Sequence, residues 1–259
     1  MIQLPEEVKI ISENDHQLNF ALTPLHPGYG VTIGNALRRV LLSSIGGAAI
    51  TTVKIKDVSH EFSVIPGVLE DVIQIILNVK RLRLKMFTDD PVILTINASG
   101  AKTITGKDIK APSNIEIISK DQHIATITDK KTTLEIELTA ERGIGYMPVE
   151  QRQKEKISVG TIAVDAIFSP ITNVNFAVEN IRVGQRTDYN KLVMDISTDG
   201  TIAPREALLK AVELLNDNFR VLSDAFVGEK IDESTDEEES ELVDENNEAK
   251  PKLKAKKKK

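Results

Sequence analysis

Apolar and polar positions recur along this chain with two periods, and the periods sort it into strands and helices. Leu18, Phe20 and Leu22 alternate with Gln17, Asn19 and Ala21, which predicts a strand over 17–22 with one buried face. A partner strand is expected over 6–12, with Asn14-Asp15 as the turn between them. Residues 24–30 read as a loop in which Gly28 and Gly30 permit tight backbone geometry, and Thr32 is placed to act as an N-cap. The period then lengthens. Ile33, Leu37, Val40, Leu41 and Ser44 share one face of a helix, and Asn35, Arg38, Arg39 and Leu42 share the other. A leucine beside two arginines is unusual on a plain solvated face. The expectation is a helix with one face in a core and one offered to a partner. Adjacent helical residues diverge by about 100°, so Arg38 and Arg39 cannot clamp one small ligand from this helix alone.

The remaining pattern is read the same way. A strand is expected over 48–57, then a helix from Val68 to about Leu82 with an apolar face of Val68, Val72, Ile75, Ile76 and Val79. Glu70 and Asp71 in its first turn and Lys80 and Arg81 in its last suit the helix dipole. Short alternating segments at 92–97, 114–119, 123–128 and 132–140, separated by turn residues, predict antiparallel sheet. A polar, partner-contacting loop is expected over 141–156, followed by strands at 158–168, 173–183 and 192–198. Pro204 suits the first position of a final helix running to about Val227. In it Leu208, Ala211, Leu215, Asn218, Leu222 and Ala225 recur at alternating spacings of three and four, with Val212, Phe219 and Phe226 as a neighbouring stripe. That arc is wider than one sheet needs. Either a partner helix uses the surplus in a short coiled seam, or the helix makes a thick contact with its own core. The class is α+β.

Composition narrows the function. Hydrophobic residues make up 41% and charged residues 28%, ordinary for a globular chain. No apolar run reaches the ~18 residues of a membrane span, and the N-terminus lacks the basic and apolar regions of a signal peptide. Cysteine is absent, which removes disulfides, thiolate metal sites and cysteine nucleophiles, and a cytoplasmic location is expected. A net charge of −6 and 4% aromatics give little bulk attraction to nucleic acid and few stacking platforms. The charge is concentrated at one end: residues 229–248 hold eleven acids and one lysine, and residues 250–259 hold seven lysines and no acid. Such blocks cannot offset the entropy of ordering, so 228–259 is expected to be a disordered tail. It either solubilises or lets the lysine end touch nucleic acid transiently.

The search for chemistry returns mostly negatives. There is no GxxxxGK[ST], and Gly28, Gly30 and Gly34 neither match GxGxxG nor precede a phosphate-binding lysine, so a structural turn is favoured there. His60-Glu61 is followed at the second ligand position by Val64 rather than histidine. His16, His26, His60 and His123 have no metal-ligand spacing, and Ser43-Ser44 has no nucleophile-elbow context. No catalytic residue, metal or cofactor is expected in this chain.

Several stretches nevertheless form a recognisable series. Gly28-Tyr29-Gly30 with Thr32 to Ser44 closely resembles the signature of the bacterial RNA polymerase alpha subunit family. His60-Glu61-Phe62-Ser63, Gly67-Val68 with Glu70-Asp71, and Ile76 to Lys80 follow in the family's order. So do Arg142-Gly143 with Gly145-Tyr146 and Pro148, Val164-Asp165, Ser169-Pro170, Gln185 to Asp188 with Lys191 to Val193, and Gly200-Thr201-Ile202 with Pro204. The resemblance covers about residues 1–227.

It implies a two-domain α+β fold. A discontinuous dimerisation domain would come from 1–46 and 173–227, and an inserted, mainly antiparallel domain from 47–172. It also implies a non-catalytic subunit that homodimerises and recruits the beta and then the beta-prime subunit of a DNA-dependent RNA polymerase. Nucleotidyl transfer would belong to those partners. The family's beta-contacting arginine falls at Arg39, with Leu42 beside it; Asn35 and Arg38 share that face. Its beta-prime positions fall at Lys80, Val164 and Asp165. Its dimer seam takes Tyr29, Ile33 and Val40 from the first helix, joined by Leu208, Ala211, Leu215 and Leu222 from the last. Family members usually carry a compact C-terminal DNA-contacting domain, for which the acidic and lysine blocks are too short and too polar, so DNA contact is expected only indirectly or through the tail. A stand-alone dimeric scaffold and a nucleic-acid-binding module acting through the lysine end are the alternatives.

Overall fold

Two antiparallel sheets take up most of the alternating segments in a computed structural model, which describes residues 4–152 and 160–235. In chain order the elements are β1 (Glu7–Glu13), β2 (Gln17–Leu25), α1 (Tyr29–Ser44), β3 (Gly46–Ile55), α2 (Val72–Val79), β4 (Leu84–Met86) and β5 (Val92–Ser99). Next come β6 (Lys102–Thr105), β7 (Ile109–Lys110), β8 (Ile115–Ile117), β9 (His123–Ile127), β10 (Thr133–Ile144), β11 (Tyr146–Met147) and α3 (Val149–Arg152). The last are β12 (Thr161–Ala163), β13 (Ala166–Ile167), β14 (Ile171–Val183), β15 (Arg186–Thr198) and α4 (Pro204–Thr235). This is the α+β, mainly antiparallel class that the two periods predict.

A four-stranded sheet has the order β1-β2-β15-β14, so strands from opposite ends of the sequence are neighbours: Phe20 stands opposite Met194 and Leu18 opposite Ile196. A seven-stranded sheet runs β7-β5-β10-β3-β4-β8, with β12 also on β3. Its core joins Val53, Leu94, Ile96 and Leu138 from the strands to Val72, Ile75 and Val79 from α2. On the opposite face of β3 and β10, Lys54 pairs with Glu137 and Lys56 with Glu135, so the alternation inside-apolar, outside-charged is complete there.

The chain divides at Glu213 into two units. The first holds both sheets. The described part of the second is the rest of α4, along which Leu214, Phe219, Val221, Leu222 and Phe226 are exposed and Asn218 donates to the Leu214 carbonyl (2.6 Å).

Several boundaries differ from the sequence expectation, each for a local reason. α1 begins at Tyr29, with Gly28 as its N-cap in the left-handed region (φ 87°). Thr32 lies inside the helix, where its hydroxyl donates back to the Gly28 carbonyl (3.3 Å). α2 begins at Val72, because Asp71 caps it by accepting from the Gln74 N–H (2.7 Å). Residues 68–70 form a single bridge followed by a bend instead: Val68 bridges to Ile127, and the Leu69 N–H donates to the Thr126 carbonyl (2.9 Å). The expected loop at 141–156 is strand as far as Ile144, since β10 continues against Gly46, Gly47 and Ala48, and Gly143 leaves room for the Phe168 ring. The expected strand at 158–168 is two short pieces with Val164 and Asp165 between them; residues 153–159 lie outside the described residues. β15 starts at Arg186, well before the expected 192, because it forms a long hairpin with β14. α4 continues through Thr235, past the expected end near Val227; the tail expectation for 236–259 falls outside the described residues. No helix among the described residues is long and apolar enough to cross a membrane.

Candidate functional site

The spaced glycines serve the seating of α1 rather than a turn alone. Gly30 and Gly34 are one helical turn apart on its buried face. A Cβ on Gly30 would lie 2.8 Å from Val178 Cγ1, and one on Gly34 would lie 2.7 Å from the Phe176 ring and 3.0 Å from Leu192 Cδ1. The helix therefore lies directly against β14 and β15. Leu37 and Leu41 complete the buried stripe, and Ile33, Val40 and Ser44 are half-buried at its margins. Asn35, Arg38, Arg39 and Leu42 all point into solvent. Among the described residues neither the Arg38 nor the Arg39 guanidinium has a hydrogen-bond or ion-pair partner. An unpaired arginine beside an exposed leucine can reach carboxylates or carbonyls of another chain in a planar fork.

A second candidate lies on the seven-stranded half. Lys80, at the C-terminus of α2, donates to Asp165 Oδ2 (3.0 Å). Asp165 Oδ1 accepts from the Val149 N–H (3.1 Å). The Lys80 ammonium, then the Val149 amide, hold the Asp165 carboxyl below the usual carboxylate range, against the opposing effect of burial; a Tyr146 hydrogen bond adds to the lowering. The pair lines an open groove of about 520 Å³ together with His60, Ile73, Ile76, Leu77 and Ile162. Ile73 and Leu77, one turn apart on α2, are exposed along it.

Lys80 and Asp165 are thus brought together, but Val164 is not a surface residue. It is 3% exposed, packs into the core of the seven-stranded half, and its N–H donates to the Thr51 carbonyl (2.9 Å). Val164 and Asp165 occupy the gap between β12 and β13, where Val164 is buried and Asp165 is half-buried with its carboxylate on the groove. Sequence reasoning passed over Phe62 and Leu69 as surface apolar residues, although both are largely exposed. Phe62 sits in a polar setting, His60-Glu61-Phe62-Ser63, and an aromatic flanked by polar residues on both sides was the available signal.

Of the expected dimer residues, Tyr29 and Leu222 are exposed and Ile33, Val40, Leu208 and Leu215 are half-buried. Ala211 is 0% exposed within the protomer, so its methyl is already used in this chain's own packing. The exposed apolar stripe of α4 is instead Val212, Phe219 and Phe226, spaced by seven, with Leu209 and Leu222 beside it. Glu70 also changes role. Its Oε2 accepts from the Thr126 N–H (2.6 Å) and its Oε1 faces His123 Nε2 (2.7 Å), so it ties residues 68–70 to β9.

The described residues contain no group of three His, Asp or Glu able to hold a metal ion. Both surfaces present charged side chains beside exposed apolar ones.

Known proteins resemble this chain over most of its length. A family model described as RNA polymerase Rpb3/RpoA insert domain matches residues 53–169. The DNA-directed RNA polymerase subunit alpha of Roseiflexus sp. (strain RS-1) is 46% identical over 223 residues, covering 86% of this chain and 68% of that protein. The subunit alpha of Carboxydothermus hydrogenoformans is 48% identical over 218 residues, covering 83% and 69%. That of Symbiobacterium thermophilum is 43% identical over 242 residues, covering 92% and 76%.

Proposed function

The chain belongs to the family of DNA-directed RNA polymerase alpha subunits, and from that premise we propose how it assembles its enzyme. It is a non-catalytic assembly subunit of a multi-subunit transcription complex. Two copies pair through α4 and the margin of α1, with Tyr29, Ile33, Val40, Leu208, Leu215 and Leu222 in or beside the seam. Residues 1–46 and 173–227 form the dimerisation domain and 47–172 the inserted one; the pairing of β2 with β15 supports that division. The dimer presents the same surfaces twice, and the two large subunits select different ones. The beta subunit takes the α1 face of Asn35, Arg38, Arg39 and Leu42. The beta-prime subunit takes the groove flanked by Lys80 and Asp165. The work takes place in the cytoplasm, and DNA contact by this chain is indirect or weak.

One observation carries the reading: the α1 helix is packed so closely on its inner side that it needs glycine there, yet displays outward a leucine and an arginine that has no side-chain partner among the described residues. An outer helix face that sets a leucine beside two arginines offers a partner apolar contact and charge together. The test is Arg39→Ala in the full chain, with sedimentation of the free subunit and pull-down of the beta subunit. The expected result is an intact dimer that no longer captures beta. A monomeric variant, or capture at the wild-type level, would refute it.

A further inference from the structure

The face of β15 that supports α1 is a row of alternate buried residues: Asn190, Leu192, Met194 and Ile196. Three are apolar and one is an amide. Asn190 is 7% exposed, which is expensive for a side chain with two donors and an acceptor unless they are matched. The acceptor and one of the donors are matched in a specific way. Asn190 Oδ1 accepts from the Gly28 N–H (2.9 Å), and Nδ2 donates to Asn180 Oδ1 on β14 (3.2 Å). Gly28 is the N-cap of α1 and supplies no side-chain cap of its own. The amide thus links the first backbone donor of α1 to the two strands beneath it.

The geometry around this link fixes more than one coordinate of the helix. Gly30 sets its height, because a Cβ there would lie 3.1 Å from Asn190 Cβ and 2.8 Å from Val178 Cγ1. Apolar contacts of Gly34, Leu37 and Leu41 hold the helix down but are non-directional, so they tolerate sliding along the strands. The Gly28–Asn190 hydrogen bond is directional and sits at one end, so it fixes position along the axis and rotation about it. It forms at an irregularity of the sheet, where the β15–β2 register shifts between Asn190 and Leu192. Bulges of this kind re-aim a side chain.

We propose that Asn190 is a positioning residue for subunit recruitment: it fixes the register of α1 on the sheet and so the presentation of Arg39 and Leu42 to the beta subunit. This rests on the reading of the outer α1 face as the beta surface. An apolar residue of similar size at 190 fills the space but offers no acceptor, so the N–H of the exposed Gly28 turns to solvent and the directional tie between α1 and the sheet is lost. Held only by non-directional apolar contacts, the first turn of α1 slides on the strands, and the far face moves with it.

The experiment uses the full-length subunit with Asn190→Leu, Asn190→Ser and Asn190→Asp, and Arg39→Ala as reference. Amide hydrogen exchange over residues 28–33 in the free subunit reads the seating, and pull-down titration of the beta subunit reads recruitment. Leucine and serine, neither of which can accept from Gly28 at that distance, should each raise exchange at 28–33 at least tenfold and weaken beta capture about tenfold. Aspartate keeps an acceptor for Gly28, and the Asn180 amide can turn to donate to it, so both readouts should return to within about threefold of wild type. Serine serves if the leucine variant does not fold. In the Arg39→Ala background Asn190→Ser should cause a smaller further loss of capture than it does in the wild type, because of the two groups it positions only Leu42 remains. Unchanged exchange in Asn190→Ser overturns the proposal. So does raised exchange with wild-type capture while Arg39→Ala abolishes capture. If Arg39→Ala also captures normally, the beta-surface reading itself has failed and the proposal falls with it. Failure of aspartate to restore both readouts also overturns it.

Discussion

Gly34→Ala isolates the close seating of α1 with a single methyl group. In an exposed helix this exchange stabilises by about 1 kcal/mol, because alanine loses less backbone freedom on folding. Here the new methyl would stand 2.7 and 2.9 Å from two ring carbons of Phe176 and 3.0 Å from Leu192 Cδ1. Carbon atoms sit comfortably at about 3.5–4.0 Å. Relief requires the Phe176 ring to retreat or the helix to rise, and overpacking of this kind costs about 1–3 kcal/mol. The balance is a net loss of about 1 kcal/mol, a lowering of Tm by roughly 2–4 °C for a chain of this size. Urea unfolding at one fixed protomer concentration measures it, since association of subunits shifts apparent stability. Two further variants sharpen the comparison. Gly28→Ala meets no atom within 4 Å but places alanine at φ 87°, so it should lose about 1–2 kcal/mol from backbone conformation alone. Adding Phe176→Leu should relieve the Gly34→Ala penalty and leave the Gly28→Ala penalty unchanged. If Gly34→Ala raises stability by the full helix-propensity gain, α1 is not seated as described and the account of its two faces loses its basis.

Other expectations follow from named contacts. Gly47→Ala would set a methyl against the backbone carbonyl oxygen of Phe168, which cannot rotate away; a loss of at least ~3 kcal/mol is expected, and a variant within 1 kcal/mol of wild type in urea (roughly, on the scale of surface substitutions) would contradict the packing. Burial raises the pKa of Glu70, but the Thr126 amide and the His123 ring outweigh it, so the folded-state value lies below the ordinary one. A depressed carboxylate contributes stability above its unfolded pKa of about 4.3 and loses that contribution as pH falls through the folded value. Glu70→Gln should therefore cost about 1–3 kcal/mol at pH 7 and progressively less below about pH 4, and an equal cost at both would disprove the linkage. Leu215→Glu should break the dimer, and a variant that still sediments as one would rule out Leu215 in the seam.

The division of α1 into two faces was legible in the sequence because a 3.6 period with Leu37 and Leu41 on one side and Arg38 and Arg39 on the other admits only one helical arrangement. The role of its glycines was not. Gly30 and Gly34 lie four apart, which marks a shared helix face, but only the strands beneath reveal that Phe176, Val178 and Leu192 fill the space. Val164 and Asp165 show a different limit. They lie between β12 and β13, and Val164 is buried in the core while Asp165 lines the groove, so a contact assigned to the pair by resemblance cannot belong equally to both. Glu70 fitted the first turn of a helix by charge, and the competing signal was the capping capacity of Asp71 next to it, which starts the helix one residue later. Short strands such as β4 and β7 escape any period, being two or three residues long and defined by their neighbours.

The adjacency of β2 and β15 also sets a timetable. Residues 17–25 leave the ribosome early, but the strand that covers their inner edge, 190–197, is made much later. At translation rates of roughly 5–20 residues per second, the wait is on the order of ten to thirty seconds. Throughout it Leu18, Phe20 and Leu25, all buried in the finished fold, have only the β1 hairpin and α1 for company. The seven-stranded sheet, drawn entirely from residues 46–163, closes in the meantime and draws the two ends toward each other. The surface proposed to receive a second copy is therefore completed last, and a chain stalled before residue 190 exposes an unpaired apolar strand.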